Sequence, residues 1–149
     1  MEAESYSDQE TANFINQTFV PVEAHIKEHP AWFKRFEAVW TPTILIVDSQ
    51  GEERYRIEGY LPASWFRARL KMGIARVAFI HKKWSEAEKI YADVARSDAG
   101  SVAAEAIYWR VVCQYKTTND HTVLGQAAHE LSERYPRSEW KLKSDPWAH

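Results

Sequence analysis

The sequence predicts an α/β (α+β) fold over the first half of the chain and an all-α extension over the second half. Three observations predict this: an unbroken aliphatic run at residues 44–47, an alternating run at residues 54–58 after a turn at Gly51, and helically spaced apolar residues from Pro62 onward. A strand buried on both faces is continuously apolar, whereas a half-exposed strand alternates. Residues 43–59 are therefore expected to form a β-hairpin.

Three elements are predicted before the hairpin. Ser7-Asp8 offers a helix cap, and apolar residues follow at helical spacing, namely Ala12, Phe14, Ile15 and Phe19. Residues 19–26 alternate as a strand with one apolar face. Pro30 suits the first turn of a short helix over residues 31–36. The N-terminal half thus reads as helix, strand, helix and hairpin.

The composition excludes several classes of protein. The chain has 149 residues and a formal net charge of −2, and it lacks an apolar run near the roughly 18 residues of a membrane span. Its acidic start has none of the features of a secretory signal. We therefore expect no membrane partner and a cytoplasmic location. No phosphate loop, nucleophile elbow or paired-carboxylate motif occurs, so we assign no catalytic residue and no cofactor.

Cysteine and histidine suggest no metal site. Cys113 is the only cysteine, and its apolar helix predicts a buried side chain that behaves as a small hydrophobe. His25 and His29 have helical metal-pair spacing but straddle the end of a predicted strand, with no third ligand close in sequence. No metal ligand is assigned.

Charge is distributed unevenly along the chain. Residues 1–26 contain five acidic residues and no Lys or Arg, whereas residues 59–85 contain six basic residues and no acid. Two solvated faces that attract each other within the fold explain this pattern better than a nucleic-acid patch does. We therefore expect no nucleic-acid partner.

A set of motifs carries a resemblance to a known family. The chain shows, in order, Ser7-Asp8, Phe19-Val20-Pro21-Val22, Trp40-Thr41-Pro42-Thr43, an aliphatic strand, Asp48, Gly51 and Gly59. This order resembles the C-terminal part of bacterial thioredoxin-like proteins. The resemblance covers residues 1–80 and implies a thioredoxin-like domain that lacks the first strand and the cysteine motif.

The resemblance also implies a site. In that family the residue matching Pro42 is a cis-proline, and the residue before it lies beside the active cysteines. The surrounding loop pairs with an extended substrate as an added strand. By this resemblance Trp40, Thr41 and Pro42 are the substrate-binding residues, and the partner is a protein or peptide.

The chain departs from the family in one respect. It has no Cys-x-x-Cys pair, which in the family lies at a helix N-terminus that favours the thiolate. The register of residues 1–8 matches a segment that follows this pair in related sequences, so we expect Met1 to be an internal methionine of a longer protein. Two functions remain open: a thiol–disulfide oxidoreductase with cysteines upstream of Met1, and a redox-inactive interaction module.

The missing strand has a structural consequence. In the family it lies between the strands matching residues 19–26 and 43–48, and its loss leaves open strand edges that recruit other chains. We expect self-association through these edges, exchange of elements between copies, or poor order in residues 1–26.

Residues 81–149 resemble tetratricopeptide repeats. Trp84, Ala87 and Tyr91 sit where that repeat has an aromatic, a small and an aromatic residue, and a weaker second copy follows about 37 residues later. The segments 84–97, 101–117 and 121–135 are predicted helices. The alternative is a generic antiparallel bundle with the same apolar spacing. The resemblance implies helical hairpins able to bind a protein partner.

Overall fold

The computed structural model describes residues 8–149, so the Ser7 part of the predicted cap and the Met1 register lie outside it. The chain divides into two compact units, the first ending at Arg67 and the second spanning Ala68–His149. This division falls inside a helix, Ala63–Ile80. A boundary at residue 80 would instead assign the whole helix to the first domain, and that boundary stays a prediction.

The first unit begins with helix α1 (Gln9–Thr18). The Asp8 carboxylate caps it by accepting hydrogen bonds from the Thr11 backbone N–H at 2.9 Å and from the Thr11 hydroxyl at 2.6 Å. Arg67 Nη1 lies 2.6 Å from the same Asp8 oxygen. The predicted helix is confirmed, and an acid of the N-terminal stretch does pair with a base of the 59–85 stretch.

A short helix and a hairpin complete the first unit. Helix α2 (Pro30–Arg35) is followed by strands β1 (Thr43–Val47) and β2 (Glu53–Glu58), which pair antiparallel. The Asp48 carboxylate accepts hydrogen bonds from the turn amides of Gln50 and Glu52, at 2.9 and 3.0 Å. Gly51 has φ of +80° there, a conformation that costs glycine little. The predicted hairpin at 43–59 is confirmed.

The predicted strand at residues 19–26 is wrong. After α1 the chain runs without regular structure to a turn in which the amides of Glu28 and His29 bond to the His25 carbonyl. The sheet formed by residues 8–149 contains β1 and β2 alone, so this segment has no neighbouring strand to complete its backbone hydrogen bonds. Val20 and Val22 are 91% and 68% exposed. Alternation without a partner strand and a covering layer does not produce a strand.

The second unit is helical. It contains most of α3 (Ala63–Ile80), followed by α4 (Trp84–Ala95), α5 (Ser101–Thr118), α6 (Thr122–Arg134), α7 (Glu139–Ser144) and a 3₁₀ turn (Asp145–Ala148). The predicted helices at 84–97, 101–117 and 121–135 are confirmed to within a few residues. The largest fully buried apolar side chains of this unit are Tyr91, Met72, Ile107, Leu131, Val94, Val102 and Val111. Over the described part of the chain, no helix combines the length and the apolar character that crossing a bilayer requires.

Candidate functional site

The loop between α2 and β1 contains the predicted substrate-binding residues. Glu37, the second residue after α2, is in the left-handed region, with φ of +50°. The Ala38 amide donates to the Phe33 carbonyl at 2.9 Å and the Glu37 amide to the Lys34 carbonyl at 3.3 Å. This pair of hydrogen bonds is the Schellman motif, which fixes the direction in which a chain leaves a helix. The path of residues 38–41 is thus set from its first residue.

Two arginines hold this loop against the hairpin. The Arg56 guanidinium, on β2, donates a hydrogen bond to the Phe36 carbonyl and a longer one, at 3.4 Å, to the Glu37 carbonyl. Arg35 Nη2 donates to the Gly51 carbonyl at 2.8 Å. The C-terminal end of α2 is therefore attached to both the turn and the second strand of the hairpin, which fixes the start of the loop.

Two carboxylates orient the Arg56 side chain. Its Nη2 lies 2.5 Å from a Glu53 oxygen and its Nη1 lies 3.2 Å from a Glu58 oxygen. The hydrogen bonds with Glu53 are the largest of the effects that raise the pKa of Arg56 above its ordinary value. Arg56 therefore remains a cation, and its donors stay directed at the end of α2.

Trp40, Thr41 and Pro42 occupy different environments. Trp40 is 65% exposed and Thr41 is also exposed, whereas Pro42 is buried. The Thr41–Pro42 peptide bond is cis, the isomer that the resemblance implies. The Pro42 carbonyl accepts a hydrogen bond from the Gly59 amide at 2.9 Å, and the Thr43 hydroxyl donates to the Trp40 carbonyl at 2.6 Å. The backbone is thereby fixed, while the Trp40 side chain extends into solvent.

An open cleft of about 330 Å³ lies beside this loop, lined by Ile26, Phe33, Ala38, Val39, Trp40 and Thr41. Its volume is near the lower end of small-ligand pockets, which span roughly 300–1,000 Å³. Ile26 and Val39 are 57% and 82% exposed. The structure thus brings Trp40 and Thr41 together at one cleft, whereas Pro42 is buried and does not line it.

Sequence reasoning missed four lining residues, namely Ile26, Phe33, Ala38 and Val39. Val39 directly precedes the Trp40-Thr41-Pro42 motif, and this position is the signal from which its role in the cleft could have been predicted. Ile26 belongs to a separate segment, and its position depends on the turn at His25, which periodicity does not reveal. None of the six lining residues is ionisable. The cleft can therefore bind an apolar group but cannot transfer a proton.

Cys113 lies in the second unit, on α5, and has no exposed surface. Burial, followed by the nearby Glu88 charge, raises the pKa of the Cys113 thiol to about 12. Thiol chemistry requires the thiolate, so Cys113 is a protonated core residue at neutral pH, as the sequence predicts. Among residues 8–149 no three side chains of the His, Cys, Asp or Glu type converge as a metal site would require.

The first unit combines α-helices with a β-hairpin, in the order α1, α2, a proline-containing loop, β1, β2 and the start of α3. The loop before β1 faces solvent. Residues 1–74 match the family model of a thioredoxin-like domain. The protein is therefore thioredoxin-like over this part of its chain. The match extends to the middle of α3 and does not include the helices after it. No curated protein and no solved structure matches the chain.

Proposed function

We propose that the first unit binds an extended polypeptide in the cleft beside Thr41 and Pro42, as the substrate-binding part of a thiol–disulfide oxidoreductase. The observation that carries the proposal is the open apolar cleft at Trp40 and Thr41, in a loop whose backbone is fixed. The edge of β1 away from β2 also carries no strand among residues 8–149. An extended peptide can add to such an edge, with its side chains in adjacent pockets.

The chemistry of the proposal is thiol–disulfide exchange. A cysteine thiolate attacks one sulfur of the substrate disulfide, the substrate S–S bond breaks, and a mixed disulfide forms. A second cysteine then attacks the mixed disulfide, which releases the substrate as a dithiol and leaves the protein with a disulfide. The reacting cysteines precede Met1 in this proposal. The residues of the cleft contribute binding and alignment of the substrate segment.

Binding is tested with an unfolded probe, reduced and carboxymethylated insulin B chain. Replacing Trp40 by Ala should lower its affinity about tenfold, because a single aromatic anchor often dominates a binding site. Trp32→Ala is the matched control, since Trp32 is 45% exposed and does not line the cleft. Equal losses in the two variants, or no binding by the parent chain, would contradict the proposal.

The redox part needs two separate tests. This chain should reduce insulin with dithiothreitol no faster than the blank, because Cys113 is its only cysteine and family chemistry uses two. In-frame codons upstream of Met1 should encode Cys-x-x-Cys, preceded by an aliphatic strand, within roughly 35 codons given typical strand lengths. An in-frame stop directly before Met1 would overturn the redox proposal and leave the binding site.

A redox-inactive interaction module is the second candidate. The burial of Cys113 favours it, and so does the packing of α4, where Ala87 and Tyr91 are buried and Trp84 is half-buried. These are the three positions at which the first copy resembles a tetratricopeptide hairpin, and the burial of two of them supports hairpins that pack against neighbouring helices. The candidate predicts a partner that binds residues 68–149 and whose affinity does not change with thiol oxidation.

We also propose that the chain self-associates through open strand edges in the first unit. The unpaired edge of β1 and the exposed Val20 and Val22 side chains can be covered by a second copy of the chain. Sedimentation velocity should show a concentration-dependent dimer that Val22→Glu weakens, whereas Gln17→Glu, at an exposed position of α1, should not weaken it. A monomer at all concentrations would exclude this arrangement.

A further inference from the structure

Two cations of the second unit lie over aromatic rings, and two more directly precede one of these rings in the chain. Arg76 and Phe79 lie on α3, Lys82 and Lys83 form the link to α4, Trp84 begins α4, and Lys116 lies near the end of α5. The rings of Phe79 and Trp84 are 5.0 Å apart. We name these six residues the basic–aromatic surface.

Two of the four cations, Arg76 and Lys116, lie over the rings. Arg76 Cζ is 5.9 Å from the centre of the Phe79 ring, and Lys116 Nζ is 5.9 Å from the centre of the Trp84 ring. Both distances are within the roughly 6 Å of a ring centre at which an aromatic face attracts a cation. These contacts hold the charged groups over a half-buried apolar area, so charge and apolar surface are presented together.

These four cations have no carboxylate partner among the described residues. Other cations of the same unit are paired: Arg69 with Glu105 at 3.0 Å, Lys71 with Asp93 at 2.7 Å and Arg110 with Glu130 at 2.6 Å. Two carboxylates follow Trp84 on α4: Glu86 lies in the first turn, and Glu88 accepts a hydrogen bond from Gln114 at 2.9 Å. Neither forms an ion pair with the four cations among the described residues, so four positive charges face two negative ones at this surface.

The start of α4 adds to the positive potential. Its N-cap residue, Lys83, makes no side-chain capping hydrogen bond, in contrast to Asp8 at α1 and Ser138 at α7. Within the described chain the backbone N–H groups of Ser85 and Glu86 have no protein acceptor. An uncapped helix N-terminus carries partial positive charge and favours an anionic oxygen.

We propose that the basic–aromatic surface docks an acidic segment of a partner polypeptide. Its carboxylates pair with Lys82, Lys83 and Lys116, and an apolar side chain between them packs on Phe79 and Trp84. The site is separate from the cleft at Trp40 and does not depend on the function proposed for that cleft. The proposed partner of the helical unit is a polypeptide segment in which acidic residues alternate with apolar ones.

Charge and ring packing favour a polypeptide over a nucleic acid. The chain as a whole carries a net charge of −2, which repels a phosphate backbone, with a charge on every nucleotide, more than it repels a short segment with a few carboxylates. A stacked base covers a whole ring face, and Lys116 lies over the face of Trp84, whereas a smaller apolar side chain can pack against the ring edges that remain. Carboxylates on flexible side chains can reach the cations without displacing them.

The test uses the full chain and a short labelled peptide that alternates acidic residues with Phe and Leu, and measures fluorescence anisotropy. The same peptide with Asp and Glu replaced by Asn and Gln is the neutral probe. The neutral probe should bind at least about tenfold more weakly than the acidic peptide. Binding of the acidic peptide should weaken between low and high salt because the charges are exposed.

Charge reversal locates the site. Lys83→Glu with Lys116→Glu should reduce affinity for the acidic peptide about tenfold or more. The matched control reverses Lys89 and Arg137, exposed cations with no ring or carboxylate partner among the described residues. Circular dichroism of both variants should match that of the parent, which checks that they are folded. Equal effects of the two variants, or equal binding of the acidic and neutral peptides, would overturn the proposal. Tighter binding of oligo(dT) than of the acidic peptide would overturn it in favour of a nucleic-acid site.

Discussion

The Arg56 guanidinium donates a hydrogen bond to the Phe36 carbonyl and so ties the second strand of the hairpin to the end of α2. The two residues are 20 positions apart, and the loop that carries Trp40 begins directly after this attachment. Removal of Arg56 is therefore expected to affect both the stability of the first unit and the geometry of the cleft.

Arg56→Gln should lower the free energy of unfolding by about 1–2 kcal/mol, because the hydrogen bond from this charged donor to the half-buried Phe36 carbonyl is lost. Urea denaturation measures the change. Lys34→Gln removes a cation from α2 that has no described side-chain partner, and it should leave stability within about 0.5 kcal/mol of the parent. Equal effects of the two substitutions would show that Arg56 does not anchor the loop.

Asp8 predicts an acid-dependent loss of stability. Hydrogen bonds from Thr11, and then the charge of Arg67, lower the pKa of Asp8 below its ordinary value of 3.8. A carboxylate whose folded pKa is depressed stabilises the fold above its unfolded pKa, and this contribution is lost as the pH falls through the folded value. The melting temperature of Asp8→Asn should therefore lie below that of the parent at pH 7, and the gap should close in strong acid. Asp98→Asn, at an exposed position, should show no such gap.

Two glutamates of the second unit should respond to acid in opposite directions. Burial raises the pKa of Glu105 and outweighs the attraction of Arg69. Burial acts in the same direction on Glu130, but hydrogen bonds and charges from Arg110 and Arg134 outweigh it and lower the pKa.

Glu130→Gln should therefore lower the free energy of unfolding by about 1 kcal/mol at pH 7, the contribution expected of a half-exposed ion-pair network. Glu105→Gln should leave the free energy of unfolding unchanged or raise it. The contribution of Glu105 becomes more favourable as the pH falls towards its folded pKa, and that of Glu130 is lost as the pH falls. Urea denaturation of both variants between pH 7 and pH 4 measures this. Parallel pH profiles would contradict the assigned environments.

Cys113 should behave as a core residue. Its thiol should react with Ellman's reagent at neutral pH only as fast as the chain unfolds, because burial raises the pKa to about 12 and the thiolate is the reactive form. Above the ordinary value of 9.0 the unfolded state ionises first, so stability should fall as the pH rises, and Cys113→Ala should remove that part of the decline. Immediate labelling of the folded chain would contradict the burial.

Local patterns predicted much of this fold, and long-range contacts account for what they missed. The hairpin, α3 and the helices after it are specified by turn residues and by the spacing of apolar residues. Both are patterns among residues only a few positions apart in the chain. A strand at 19–26 needs a neighbouring strand, and alternation alone could not supply one. Trp40 and Thr41 were found through a motif, but Ile26 reaches the cleft from another segment and Arg56 fixes it from 20 positions away.

The most direct test of the account maps the binding site of the carboxymethylated insulin B chain on the isotope-labelled protein by backbone amide chemical shifts. The cleft predicts that the shifts change with probe concentration at Ile26, Ala38, Val39, Trp40 and Thr41. Trp40→Ala should require about tenfold more probe for the same changes, whereas Trp32→Ala should leave the titration unchanged. Changes confined to residues 68–149, with residues 26–41 unaffected at saturation, would contradict the claim that this loop binds the polypeptide.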